Sequence, residues 1–332
     1  MAIRIGLSRG AFGIALTVAM LAGCGQAQTV GTGMMPQGAA PAEHAAHGKS
    51  WMLPEAKGEA LVYANNNADS INVYSYKTGK QLGNITGLSG AYGECSDIHG
   101  NVFVTNSYNA DYTYEYAHAG ITPKATFETT GYAPQSCSVD PTTGNLAICA
   151  DSSHDAVAAI FKNEQESPTL YEVSTGALFC AYDNNGNLFV DGGTNSSFAL
   201  QELAKGASAF MPISIYGASG WFHGSIQWDG SALAVNIPHG TGSRGPSVVY
   251  QVQISGSQGT VIGTTKLYSR RTMHNYSVDC QLWIQEGRIL AGQRAESELA
   301  AWLYPAGGKP KRIYKPGGGV CGITVSVHQS HK

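Results

Sequence analysis

Charge is scarce in this sequence. Only 13% of its 332 residues are Asp, Glu, Lys or Arg, about half the usual share. A helical bundle or coiled coil needs a more charged solvated surface, so neither fits. There is no basic cluster, and 20 Lys and Arg against 23 Asp and Glu give a formal charge of −3. Nucleic acid is therefore not an expected partner. No Gly-X-Y period accompanies the 42 glycines, which excludes collagen. Beyond the N-terminal leader there is no Gly-x-Ser-x-Gly elbow, and no P-loop, Cys-x-x-Cys zinc pair or Cys-x-x-Cys-His haem site exists anywhere, so those chemistries lack a motif. The 43% of hydrophobic residues suffice for a large core, so wholesale disorder is excluded. Abundant Gly and 17 Tyr with few charges predict an all-β chain with many tight turns.

The N-terminus carries an address. Arg4 and Arg9 precede an uncharged run, AFGIALTVAMLAG, of 13 residues at positions 11–23. That is too short to span a bilayer and suits a signal-peptide core. The run ends in Leu21-Ala22-Gly23-Cys24, which resembles the lipobox of bacterial lipoproteins. The resemblance implies cleavage after residue 23 and acylation of Cys24 by palmitate-class chains, a stable membrane anchor. It also implies an oxidising cell-envelope location; Gly25 in place of Asp favours the outer membrane, its side left open. Residues 24–58, rich in Gly, Ala, Gln and Pro, read as a flexible tether. His44, His47 and Glu43 there read as solvated linker residues.

An internal repeat decides the expected fold. Glu94-Cys95-Ser96-Asp97 is followed by GNVFVTNS, Ser136-Cys137-Ser138-Val139-Asp140 by GNLAICADS, and Phe179-Cys180-Ala181-Tyr182-Asp183 by GNLFVDGG. Worn copies are Ser225-Ile226-Gln227-Trp228-Asp229 with GSALAVNI and Cys280-Gln281-Leu282-Trp283 with GRILAGQ; the last is Val320-Cys321-Gly322-Ile323. Marker positions fall 42, 43, 45, 55 and 41 residues apart. A period near 40–45 with short strands is the pattern of a propeller blade. Gly-Asn after an acid marks a hairpin turn, and Asp97, Asp140 and Asp183 are expected to cap backbone N–H groups there. The final segment supplies an inner strand for Ala60–Ala64, Ile71–Tyr76 and Gln81–Ile85, making a sixth blade. These Asp-x-x-Gly-Asn units, with the strand SINVYSY, resemble the NHL and SMP-30/gluconolactonase-like six-bladed β-propellers. The expectation is an all-β, six-bladed propeller of four-stranded antiparallel blades over residues 59–328, closed by pairing of its N- and C-terminal strands.

Three readings of the cysteines stay open. In one, those at the marker positions are small buried hydrophobes; in another, Cys137 and Cys149, flanking one hairpin, are a candidate disulfide; and pairs between blades, such as Cys280 with Cys321, are a third arrangement that sequence cannot select. Function is expected on the rim where the inner strands begin. Tyr92, Glu94, Tyr132, Trp221, His223, His239, His274 and Asp279 map there as candidate ligand-binding residues. The longest loop, Asn236–Ser247, is a further binding element. The resemblance implies a metal lactonase with a divalent ion held by acids such as Glu94 and Asp279, yet the matching positions of other blades (Ser136, Phe179, Gly224, Val320) do not complete an oxygen set. The expected function is thus a membrane-anchored, non-catalytic, monomeric propeller binding a small ligand or protein partner at its central channel. A metal-dependent hydrolase or lyase is the alternative.

Overall fold

The computed structural model describes residues 48–66, 69–107, 111–152, 155–162, 167–194, 197–218, 224–237, 246–269, 280–293 and 297–328. The described chain is all-β, with 25 strands in antiparallel meanders. The first group holds β1 (Trp51–Met52), β2 (Leu61–Asn65), β3 (Ser70–Ser75) and β4 (Gln81–Thr86). The second runs β5 (Ala91–Ser96), β6 (Val102–Asn106), β7 (Tyr112–Tyr116) and β8 (Pro123–Glu128). The third is β9 (Ala133–Val139), β10 (Leu146–Asp151), β11 (Ala156–Phe161) and β12 (Thr169–Glu172). Then come β13 (Phe179–Tyr182), β14 (Leu188–Thr194), β15 (Ser197–Leu203) and β16 (Met211–Tyr216), followed by β17 (Ile226–Trp228), β18 (Leu233–Asn236), β19 (Ser247–Ser255) and β20 (Gln258–Leu267). The last group is β21 (Leu282–Gln285), β22 (Arg288–Gln293), β23 (Glu298–Leu303) and β24 (Gly307–Tyr314), and β25 (Ile323–Ser326) ends the series.

β25 pairs antiparallel with β2, Leu61 opposite Ser326 and Ala64 opposite Ile323. The C-terminal strand thus lies where the repeat predicted it. Two features differ from separate four-stranded blades. The long β19–β20 hairpin reaches out so that β20 pairs in parallel with β16 and touches β24, merging three meanders into one 12-stranded sheet. This hairpin falls in the 55-residue repeat. The segment read as tether is also ordered near its end. Trp51 and Met52 pair with β4, and a 3-10 turn at Pro54–Gly58 buries Ala56. The folded region therefore begins before residue 59.

The second strands explain the core. β2, β6 and β18 are buried along their whole length. Alternate residues of a strand face opposite ways, and here each face meets a different neighbour. Val102 and Val104 pack with Leu61 and Tyr63 of the first group, whereas Phe103 packs with Ile148 and Cys137 of the third. Leu188 and Val190 face β10, and Phe189 faces β18. Ala234 joins Ile289 and Ala291; Leu290 joins Val62 and Ala64. Burial on both sides is why these strands read as continuous apolar runs rather than as alternating ones. Outer strands β8, β12 and β16 are largely exposed. The core is thus a series of seams between successive sheets.

The hairpin turns follow the expected chemistry. Asp97 Oδ1 accepts the N–H groups of His99 and Asn101 at 2.9 and 2.8 Å, and Asp183 Oδ1 accepts those of Asn185 and Asn187 at 2.8 and 2.9 Å. Gly100 and Gly186 close these turns at φ 84°, a conformation that a Cβ disfavours.

Candidate functional site

Strands β5, β9, β13, β17, β21 and β25 are sheet edges, so one side of each carries unpaired backbone groups. Side chains of a neighbouring inner segment meet that need. Ser136 Oγ accepts Cys180 N–H at 3.1 Å and Ser138 Oγ accepts Tyr182 N–H at 3.0 Å. Ser225 Oγ accepts Leu282 N–H at 3.0 Å, and Gln227 Oε1 accepts Ile284 N–H. Ser96 Oγ donates to Val325 O at 2.9 Å. The small and amide residues of the repeat are thus ties between edges as well as space-savers.

Two of these ties are covalent. Cys95 bonds Cys137 with Cα atoms 5.6 Å apart, and Cys280 bonds Cys321 at 4.7 Å. The candidate Cys137–Cys149 disulfide is therefore not formed; Cys149 is a buried free thiol. The register gives the reason. Cys137 lies opposite Ile148, and Cys149 lies opposite Ser136. That one-residue offset places Cys137 in the seam toward β5 and Cys149 in the seam toward β13, because a slip of one residue changes the face.

Glu94 sits among these ties. Its backbone N–H donates to Gln281 Oε1 at 2.9 Å and its carbonyl accepts from Gln281 Nε2 at 2.5 Å. The same Oε1 accepts Ile323 N–H at 3.2 Å. Asn65 mirrors this, donating to Ala91 O at 2.7 Å and accepting Cys321 N–H at 2.7 Å. The Glu94 carboxyl is fully buried, and neither oxygen has a hydrogen-bond partner among the described residues. Burial pushes its pKa up to about 8. A carboxyl in such surroundings carries a proton at neutral pH. Tyr92 is half-buried on the same strand, its carbonyl accepting from Asn65 at 3.2 Å. Half-buried Tyr132 donates its N–H to Thr129 O at 2.9 Å. Trp221, His223, His239, His274, Asp279 and Cys24 lie outside the described residues, as does most of the Asn236–Ser247 loop.

A cavity of about 950 Å³ opens at the hairpin-turn end of the inner strands, the end opposite the rim favoured by the sequence. All six of those strands contribute, through Cys95 and Ser96, Cys137 to Val139, Cys180 to Tyr182, Ile226 to Trp228, Trp283 with Gln285, and Val325. Asp97, Thr142 and Asn184 stand at its mouth. Its volume is at the upper end of small-molecule sites, roughly 300–1,000 Å³. No Lys or Arg lines it. Its two carboxylates are committed to their own turns. For Asp140, burial raises the pKa, but hydrogen bonds from Thr143 and Thr142 outweigh it and hold the group below the usual range. What remains is aromatic (Tyr182, Trp228, Trp283), aliphatic (Ile98, Val139, Ile226, Val325, Val327) and polar, with the imidazole of His99 among it. Sequence reasoning missed Trp228 and Trp283. Both fall three residues after a marker position, where they read as worn repeat letters.

No family model matches this chain, and no curated protein matches it. Solved structures do. A chain of a nidogen/laminin complex is 10% identical with a TM-score of 0.63, covering 82% of this chain and 100% of its own. A protein of unknown function from Bacteroides caccae is 12% identical with a TM-score of 0.58, covering 81% and 99%. Hydrazine synthase from Kuenenia stuttgartiensis is 13% identical with a TM-score of 0.55, covering 78% and 79%. The fold is of the β-propeller kind. Identities this low speak for architecture and not for chemistry.

Proposed function

We propose that this protein is a lipid-anchored, non-catalytic, six-bladed β-propeller that binds a small uncharged ligand in its axial cavity. Supporting a ring of six are the inner-strand contacts, which run in order from β5 to β25, with β25 touching both β21 and β5. The core seams follow the same order, the last joining Leu290 and Tyr314 to Val62 and Tyr74. Pairing of β25 with β2 then removes the exposed edge that an open series would leave. The anchor is Cys24; Cys24→Ser is expected to move the protein from the membrane to the soluble fraction.

One observation carries the binding reading: every inner strand opens onto a cavity whose uncommitted lining is aromatic, aliphatic and polar, without Lys or Arg. Such a wall suits apolar ligand faces and uncharged hydroxyl or amide edges, and offers no Lys or Arg to an anionic ligand. Neutral saccharides are a suitable probe class. Titration of the intact protein with maltohexaose, cellohexaose and chitohexaose should change tryptophan fluorescence. Trp228→Ala and Trp283→Ala should each weaken binding about tenfold with circular dichroism unchanged. Equal response to polygalacturonate, or variants that bind as well as the parent, would sink this assignment.

The alternative, a metal-dependent lactonase or other hydrolase, draws on the protonated Glu94. Among the described residues no group of three His, Cys, Asp or Glu comes close enough to hold an ion. Lactone turnover that needs added divalent metal and disappears in Glu94→Gln would replace the first reading with this one.

A further inference from the structure

We propose that Cys149 of β10 and Cys180 of β13 form a third disulfide, made by exchange with a low-molecular-weight or protein disulfide. This goes beyond ligand binding and does not depend on it.

The backbone register brings the two thiols together. Cys149 stands opposite Ser136 on β9, and directly opposed residues share a face with Cβ atoms about 5 Å apart. Ser136 Oγ lies 3.6 Å from Cys180 Sγ. Both cysteines belong to the single core seam between the third and fourth groups, and both are buried free thiols. Cys180 is the first neighbouring group, after burial itself, to act on the Cys149 thiol. Asp191 and Asp151 are the acidic groups near Cys149; they disfavour its thiolate and supply no competing nucleophile.

The wider pattern points the same way. Cys180 occupies the marker position of its group. Its counterparts at 95, 137, 280 and 321 are all paired. The next marker position is Ser225, which offers no sulfur. Cys149 is the remaining thiol in the described domain, one strand away in the same seam. Cys180 also lines the cavity, so the link would fix one wall of that site to the neighbouring sheet.

The chemistry balances by thiol–disulfide exchange. One cysteine thiolate attacks a sulfur of RS–SR, forming a mixed disulfide and releasing RS⁻. The second cysteine, after losing its proton, attacks the protein sulfur of that mixed disulfide and releases the second RS⁻. Two electrons pass to the oxidant, the two protons from the cysteines accompany them, and the products are the Cys149–Cys180 bond and two RSH. Burial raises the Cys149 thiol well above its usual pKa, which makes attack slow in the packed state. Formation during folding, before the seam closes, is the expected route.

The test uses the full chain carrying Cys24→Ser, refolded from denaturant in a mixture of oxidised and reduced glutathione. Alkylation under denaturing conditions, digestion and mass mapping should yield a Cys149–Cys180 peptide pair, with no thiol left to react. In Cys149→Ala, Cys180 should become alkylatable while the other two disulfides persist; Cys180→Ala gives the reciprocal check should the first variant fold poorly. The linked form should melt a few degrees higher than the dithiol form. Recovery of both cysteines as separately alkylated, or as glutathione adducts, in most refolded molecules overturns the proposal.

Discussion

Glu94 shows how much one buried group can do. Its folded pKa, about 8, lies above the ordinary carboxyl value of 4.5, so the native state holds a proton that the unfolded chain releases between those limits. Stability therefore falls as pH rises from about 4.5 through about 8 and levels off above. The full effect is at most about 5 kcal/mol. Glu94→Gln keeps the shape and removes the titration. The variant should gain stability over the parent at pH 9 and differ little at pH 4, as measured by denaturant unfolding at both. An unchanged pH slope in Glu94→Gln would show that other groups set it. No sequence pattern announces this state: the residue type is plain, but its burial comes from close packing against segments distant in the sequence, Gly322 among them.

Among elements, the inner strands are packed backbone to backbone. A Cβ on Gly93 of β5 would lie 2.3 Å from Gln135 O and 2.7 Å from Ser136 Cα of β9. A Cβ on Gly322, just before β25, would lie 2.3 Å from Tyr92 O. Neither glycine has a positive φ; proximity alone requires them. Gly93→Ala should cost about 2–3 kcal/mol by forcing β5 and β9 apart, read from the denaturation midpoint. A neutral result would mean that the two strands are not in contact. The hairpin turns were legible in the sequence because an Asp followed by Gly-Asn is a local device, complete within six residues. The ties by Ser136, Ser225 and Gln281 were not, because their partners lie 44 to 187 residues away.

For the whole molecule, cross-links and the terminal pairing act together. The two disulfides span 42 and 41 residues, and closing loops of that length restricts the unfolded chain by about 4 kcal/mol each. The double variants Cys95→Ser/Cys137→Ser and Cys280→Ser/Cys321→Ser should each melt about 5–10 °C lower than the parent. A Cys280→Ser/Cys321→Ser protein with an unaltered melting temperature would mean that noncovalent ties alone hold the last strand. The repeat made much of this architecture readable, since strand period, turn residues and marker spacing are local properties that recur. It placed β25 beside β2 and named the capping aspartates. Tertiary structure alone decided which cysteines bond, where the cavity opens and which aromatics line it. Those depend on register and on which seam a side chain enters, and a one-residue offset, as between Cys137 and Cys149, reverses the answer without changing the composition at all.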